Sequence, residues 1–259
     1  MRIALVQSKC VEQKPLSNVS IIEKTVKTTD ADLFIFPELF LIGYDIVDNH
    51  RRQASSVDEN ILEELRKISI QNECDIIVGA PFLDNSTLYN SLLFFTKGGR
   101  IERYDKIHLA DFGPFTEKKE FTPGNNPLMI ESGDFKLGVS ICYDIFFPEM
   151  FKYYALNGAD GLICISASPR GSKLPFQAVL PARAVENTCY VLYVNNTGEQ
   201  GSTSFFGGSR VISPIGRTIE EIGEGEGILL FDMDRKELVR ARAGRPTIRD
   251  SRPELWHKR

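Results

Sequence analysis

Histidine is scarce in this chain: His50, His108 and His257 are the only three among 259 residues. None belongs to an HxH or HExxH pair, so the residues offer no metal site for hydrolysis. Cysteine is little used too. Cys10, Cys74, Cys142, Cys164 and Cys189 are odd in number, scattered and never in a CxxC pair, which excludes a disulfide framework and a zinc ribbon. Positive charge is in slight deficit, with a net charge of -4. No basic run precedes the C-terminal stretch, so a nucleic-acid surface is not expected. Apolar runs are strand-sized, and none approaches the ~20 residues of a membrane span. The opening Met1–Gln7 carries a charge at Arg2 and too short an apolar run for a signal peptide. These absences predict a cytoplasmic protein with free thiols and no membrane partner.

What is present is a chain of ordinary globular composition, 42% hydrophobic and 25% charged, long enough for one large α/β domain. Buried strands are predicted at Arg2 to Gln7, Ala31 to Phe36, Asp75 to Gly79, Lys136 to Cys142, Gly161 to Ile165 and Cys189 to Asn195. Helical spacing is predicted at Pro15 to Thr28, Val57 to Asn72, Phe147 to Gly158 and Phe176 to Asn187. Lys97-Gly98-Gly99-Arg100 marks a hairpin between Leu88–Thr96 and Ile101–Tyr104. Phe206 to Ser213, Arg217 to Glu221 and Gly227 to Asp232 read as an antiparallel finish. Strands that alternate with helices and then pair by hairpins predict mixed sheets covered by helices. We divide the chain into a body over 1–240 and a basic C-terminal tail over 241–259.

Three segments share one pattern, a strand followed at once by a reactive group. Glu38 follows the strand ending at Phe36, Lys106 follows Ile101–Tyr104, and Cys142 ends the strand from Lys136. In α/β folds, functional groups gather where strands end. Glu38 lies in FIFPELFL with apolar neighbours on both sides. Desolvation there raises a carboxylate pKa and suits general-base work. A lysine ammonium can hold a carboxylate or a developing oxyanion, and a thiol is a nucleophile. Each residue alone also has a plain reading: an ion-paired glutamate, a solvated lysine, a core cysteine. His108 is the histidine nearest this set, but Ile107 and Leu109 beside it suggest a packed ring.

FPELFLIGYD, YDKIHL, TEKKEFTPG, VSICYDIFFPE and ARAVENTCYVLYVNNTG, in that order, resemble the carbon-nitrogen hydrolase family, also called the nitrilase superfamily. The likeness runs from the first strand to about Asp232. It implies a four-layer α-β-β-α sandwich of two mixed sheets. It implies a Glu–Lys–Cys triad at Glu38, Lys106 and Cys142, and a second glutamate at Glu117, with Glu120 as its competitor. It further implies an oxyanion site at Lys106 and the backbone N–H of Tyr143, and a thioester intermediate. No cofactor and no metal are called for.

The expected substrate is a small-molecule amide or nitrile. True nitrilase, N-carbamoyl hydrolase and ω-amidase activities remain open, with a non-catalytic binding module as the rival from another class. Tyr44, Phe146, Ser166 and Ala167 are candidate substrate-binding residues, and Arg170 or Lys173 could meet a substrate carboxylate. Glu149 and Arg183 are expected to pair. Lys152 stands where many relatives have arginine, and lysine offers no bidentate fork. The resemblance also implies a homodimer or higher homo-oligomer, with Trp256 of the tail as a natural interface anchor.

Overall fold

A computed structural model describes residues 1–44, 50–113 and 115–255. In chain order the elements are β1 (Arg2–Gln7), α1 (Pro15–Thr28), β2 (Leu33–Ile35), α2 (His50–Ala54), α3 (Glu59–Gln71), β3 (Asp75–Asp84), β4 (Thr87–Phe95), β5 (Ile101–Asp105) and α4 (Glu117–Glu120). Then follow β6 (Met129–Ser132), β7 (Phe135–Ile141), α5 (Pro148–Leu156), β8 (Gly161–Ser166), α6 (Lys173–Asn187), β9 (Tyr190–Asn195), β10 (Thr197–Gln200) and β11 (Thr203–Phe206). The chain continues with β12 (Arg210–Ile212), β13 (Thr218–Glu221), β14 (Gly227–Asp232) and α7 (Arg235–Gly244).

Two six-stranded mixed sheets form, in the orders β14-β1-β2-β3-β4-β5 and β13-β12-β9-β8-β7-β6, beside the small hairpin β10-β11. Each has a parallel centre, β1-β2-β3 in one and β7-β8-β9 in the other. Their apolar runs are buried on both faces, as parallel strands require. The period of 2 along β1 and β2 separates the layers. Ile3, Leu5, Leu33 and Ile35 join the cluster that contains Leu137, Val139 and Ile141 of the second sheet. Ala4, Val6 and Phe34 point the other way, onto Val19 and Ile22 of α1 and Ile61 and Leu65 of α3. On the far face of the second sheet, Phe151 and Tyr154 of α5 and Leu180 and Ala184 of α6 complete the sandwich. The four-layer architecture expected from the motifs is the one observed.

Some local expectations change. The strand expected over Phe206 to Ser213 is two strands, because Gly207 and Gly208 both take positive φ, +62° and +68°. A side chain at Gly207 would meet the Gln7 amide at 2.5 Å, so the chain breaks where Gln7 needs room. The boundary set at 240 falls inside α7, whose Leu238 and Ala241 are buried. Arg242 of the same helix bonds Asp160 and the carbonyl of Ala159. Trp256 lies outside the described residues. Among the described residues, no helix is long and apolar enough to cross a membrane.

Candidate active site

The reactive side chains sit at the C-terminal ends of strands, where backbone groups leave the ladder and side chains can converge. Glu38 follows β2 and is fully buried. The next residue, Leu39, has φ +51°, a left-handed turn that costs a non-glycine residue about 1–2 kcal/mol. This turn lies on Gly79 of β3. A Cβ at that glycine would fall 2.4 Å from the Leu39 nitrogen and 2.6 Å from the Glu38 Cα, so only glycine permits the approach.

Lys106 follows β5, is fully buried, and takes its place by donating its backbone N–H to the Asn90 carbonyl. Its Nζ donates to Oε1 of Glu38 at 2.8 Å and to Oε1 of Glu117 at 2.8 Å. Glu38 Oε1 also accepts from Asn90 Nδ2 at 2.7 Å, and Oε2 accepts from the Ala167 N–H at 2.7 Å. Glu117 Oε1 also accepts from the Tyr44 hydroxyl at 2.7 Å, and Oε2 from the Ala110 N–H at 2.9 Å. The two glutamates considered for this position therefore part company. Glu117 meets Lys106, whereas Glu120 lies 2.5 Å from His50 Nδ1, with the other ring nitrogen of His50 2.9 Å from the Tyr44 carbonyl.

Cys142 opens the 3₁₀ turn Cys142–Phe146 at the end of β7, with φ +48°. A non-glycine residue held there is strained by about 1–3 kcal/mol and is kept so only by its surroundings. The surroundings are visible. Asp144 Oδ2 accepts from the Ile141 N–H at 3.0 Å and the Tyr104 hydroxyl at 2.7 Å. Its Oδ1 accepts from the His108 N–H and faces His108 Nδ1, both at 2.8 Å. The His108 ring stacks on Phe147 at 3.6 Å. His108 is thus a packed ring that braces the turn. The Cys142 Sγ lies 3.5 Å from the Ser168 hydroxyl, which is 2.5 Å from that of Ser166.

Burial sets the electrostatics. It raises Glu38 above the usual carboxylate range, against the opposing pull of Lys106. For Lys106, burial disfavours the ammonium, but Glu117 and Glu38 more than offset it and hold the amine well above its ordinary value. Burial pushes the Cys142 thiol up to about 12, with Glu38 adding to the rise and Lys106 opposing it. Burial thus favours the protonated form of the resting sulfur.

A pocket of about 320 Å³ opens onto Cys142 and Glu117, lined also by Tyr44, Tyr143, Phe146 and Ser168. Of the candidate substrate-binding residues, Tyr44 and Phe146 line it. Ser166 and Ala167 are buried behind that wall, Ala167 as the donor to Glu38. Arg170 and Lys173 instead pair with Glu224, at 2.9 and 3.4 Å. Glu149 and Arg183, expected to pair, are engaged differently. Glu149 is exposed, and Arg183 donates to the Ile145 carbonyl at 2.7 Å and to Glu186 at 2.8 Å. Lys152 donates to the Glu186 carbonyl at 2.7 Å.

Asn90 and Asn196, which bond the Glu38 carboxylate and carbonyl, went unread in the sequence. The signal for Asn90 was available: asparagine is disfavoured in strands, yet it interrupts the apolar run TLYNSLLFF of β4.

The sequence pattern of one family, Carbon-nitrogen hydrolase, matches residues 2–243. The chain belongs to the carbon-nitrogen hydrolase family. Among the relatives of this hydrolase is the 2-oxoglutaramate amidase of Bacillus subtilis, 32% identical over 249 residues, 94% of each chain. An (R)-stereoselective amidase of a Pseudomonas species is 28% identical over 97% of this chain and 92% of its own. Among solved structures, XC1258 of Xanthomonas campestris, a CN-hydrolase superfamily protein with an arsenic adduct in its active site, superposes with a TM-score of 0.88 at 26% identity, over 97% of each chain. An amidase of Nesterenkonia sp. AN1 superposes with a TM-score of 0.86 at 28% identity, over 99% of this chain and 95% of its own; a mutant of it carries the acetamide moiety of fluoroacetamide on the active-site cysteine.

Proposed function

We propose that this carbon-nitrogen hydrolase converts a small-molecule amide to its carboxylic acid and ammonia through a thioester on Cys142. The observation that carries the reading is the buried ammonium of Lys106 held between Glu38 and Glu117 beside a strained cysteine at the pocket floor. The amidases among the relatives support the same reaction class.

In this reading Glu38 takes the proton of the Cys142 thiol as Sγ attacks the carbonyl carbon. A carboxylate with a raised pKa is a fitting base for a thiol that does not ionise by itself. The Lys106 ammonium and the backbone N–H of Tyr143 stabilise the oxyanion; the first N–H groups of a helical turn have no partner within it. As the C–N bond breaks, Glu38 returns the proton to the nitrogen and ammonia leaves. Glu38 then takes a proton from water, the hydroxide displaces the thioester sulfur, and the thiol recovers its proton. Glu117 fixes the Lys106 ammonium and, with the Tyr44 hydroxyl, borders the substrate.

The test is ammonia release from a panel of amides, nitriles and N-carbamoyl compounds, run beside Cys142→Ala, with intact-mass detection of an acyl adduct. Turnover of amides lost in the variant supports the reading. Equal turnover by both proteins sinks it, and preference for nitriles or carbamoyl compounds reassigns the substrate class.

We also propose a homo-oligomer, at least a dimer, in the cytoplasm. Exposed Tyr153 and Leu156 on α5 and Leu174 on α6 present apolar surface on helices next to the Cys142 turn, and the five thiols are free. Light scattering on a sizing column reads the mass directly.

A further inference from the structure

The pocket wall is aromatic and carries no cation among the described residues. Phe112, Phe115, Tyr143, Phe146 and Phe176 surround it, and its polar members are Tyr44, Glu117, Cys142, Ser168 and Ser172. Residues 45–49, which follow Tyr44 in the sequence, include no lysine, arginine or histidine. The Lys106 ammonium already serves two carboxylates. The loop cations Arg170 and Lys173 are both engaged by Glu224, and Arg170 Nε donates to Ser204 as well. A substrate carboxylate entering here would be stripped of water, left without a cationic partner and set close to Glu117, a costly arrangement.

For an apolar acyl group the same wall is favourable. Phe146 meets Phe176 edge to face at 5.2 Å, and Tyr143 meets Phe112 at 4.9 Å, which leaves ring faces and edges for a further ring. A cavity of roughly 150 Å³ holds benzene; about 320 Å³ here has room for an aryl ring with a short link to the carbonyl.

We propose that the acyl group accepted by this site is uncharged and apolar, of the arylacetyl or branched-alkyl kind, that Phe146 is a wall determining that choice, and that monoamides of dicarboxylic acids are excluded. The proposal rests on the amidase reading of the same site. It also sets this chain apart from its relative named for 2-oxoglutaramate.

Two measurements separate the proposal from that reading. The kcat/KM of the parent protein is compared for phenylacetamide, isobutyramide, acetamide and succinamate. Independently, calorimetry on Cys142→Ala reads binding of phenylacetamide and succinamate without turnover. The expected result is a kcat/KM for phenylacetamide at least about a hundredfold above that for succinamate, with the same order in binding. Phe146→Ala is expected to lower kcat/KM for phenylacetamide at least about tenfold more than it lowers that for acetamide. Succinamate bound or turned over as well as phenylacetamide overturns the proposal and leaves the amidase reading standing. Equal losses for both amides in Phe146→Ala overturn the role of that wall. Absence of turnover overturns the amidase reading, and the order of binding then still decides the question of charge.

Discussion

Lys106 and Glu38, 68 positions apart in the chain, meet at 2.8 Å with both side chains fully buried. A lone buried pair contributes little, because desolvation offsets attraction. Here one ammonium faces two carboxylates, and the surplus negative charge is spread over the Asn90 amide, the Ala167 and Ala110 N–H groups and the Tyr44 hydroxyl. Glu38 is left short of full compensation, so burial keeps its pKa raised. That is the property a base needs if it is to take a proton and give it back near neutral pH.

Glu117→Gln and Glu120→Gln should differ sharply. The first removes the charge that fixes Lys106, and kcat/KM should fall roughly a hundredfold. Glu120 contacts His50 and not Lys106, so its variant should stay within a few-fold of the parent. Steady-state kinetics on both proteins checks this, and equal losses would remove the distinction between the two glutamates.

Gly79→Ala should damage the site without replacing a reactive residue. The three atoms nearest the new methyl are all backbone, of Leu39, Pro37 and Glu38, and none of them can swing away. A loss of at least ~2 kcal/mol of stability is expected, together with a drop in kcat. Gly98→Ala, whose methyl would meet only the Thr96 hydroxyl at 3.7 Å, is the control and should leave both nearly unchanged. Urea unfolding and activity are the measurements.

Asp144→Asn should loosen the turn that holds Cys142, the proposed nucleophile. One amide oxygen replaces two acceptors, so the NH₂ would face either the Tyr104 and Ile141 donors or the backbone N–H of His108. A buried donor left unmatched costs about 1–3 kcal/mol. The expected outcome is a lower melting temperature and a lower kcat, with slower alkylation of Cys142 by a substrate-like reagent. An unchanged kcat would show that the turn does not depend on this carboxylate.

With Glu38 as the proposed base, the pH dependence of activity follows from its titration. It must be ionised to accept a proton, and its pKa is raised. The acid limb of kcat/KM should therefore fall above the ordinary glutamate value of about 4.3. A limb at or below that value would count against Glu38 as the base.

Stability should respond to alkali through the buried thiols. Burial pushes Cys142 up to about 12 and Cys189 up to about 11 in the folded chain, against about 8.5 for a free cysteine. Their folded values are raised, so their contribution is complete below about pH 8.5 and is lost as pH rises toward those values. Melting temperatures from about pH 7 to about pH 10.5 should hold at first and then decline above about pH 9. Cys189→Ala should blunt the decline.

The local sequence determined a good deal. Period-2 and period-3.6 patterns, with Pro and Gly punctuation, located most strands and helices. The placement of Glu38, Lys106 and Cys142 directly after strands marked them as a set. What local pattern could not reach was pairing at long range. Glu117 and Glu120 share the short helix α4, and no local rule separates them. Only the tertiary setting of that helix turns Glu117 to Lys106 and Glu120 to His50. Arg183 was expected to meet Glu149; it bonds Glu186 one turn along α6, a pairing the local spacing does allow, and the Ile145 carbonyl, which only the fold brings within reach. Asn90, Ala167 and Asn196 come to Glu38 from three different strands or their ends, and Gly79 is required only because the Glu38 turn lies upon it. Residue types and short-range periodicity are written in the chain itself; which buried donor meets which buried acceptor is settled only when two sheets close face to face, because desolvation then penalises every polar group left without a partner.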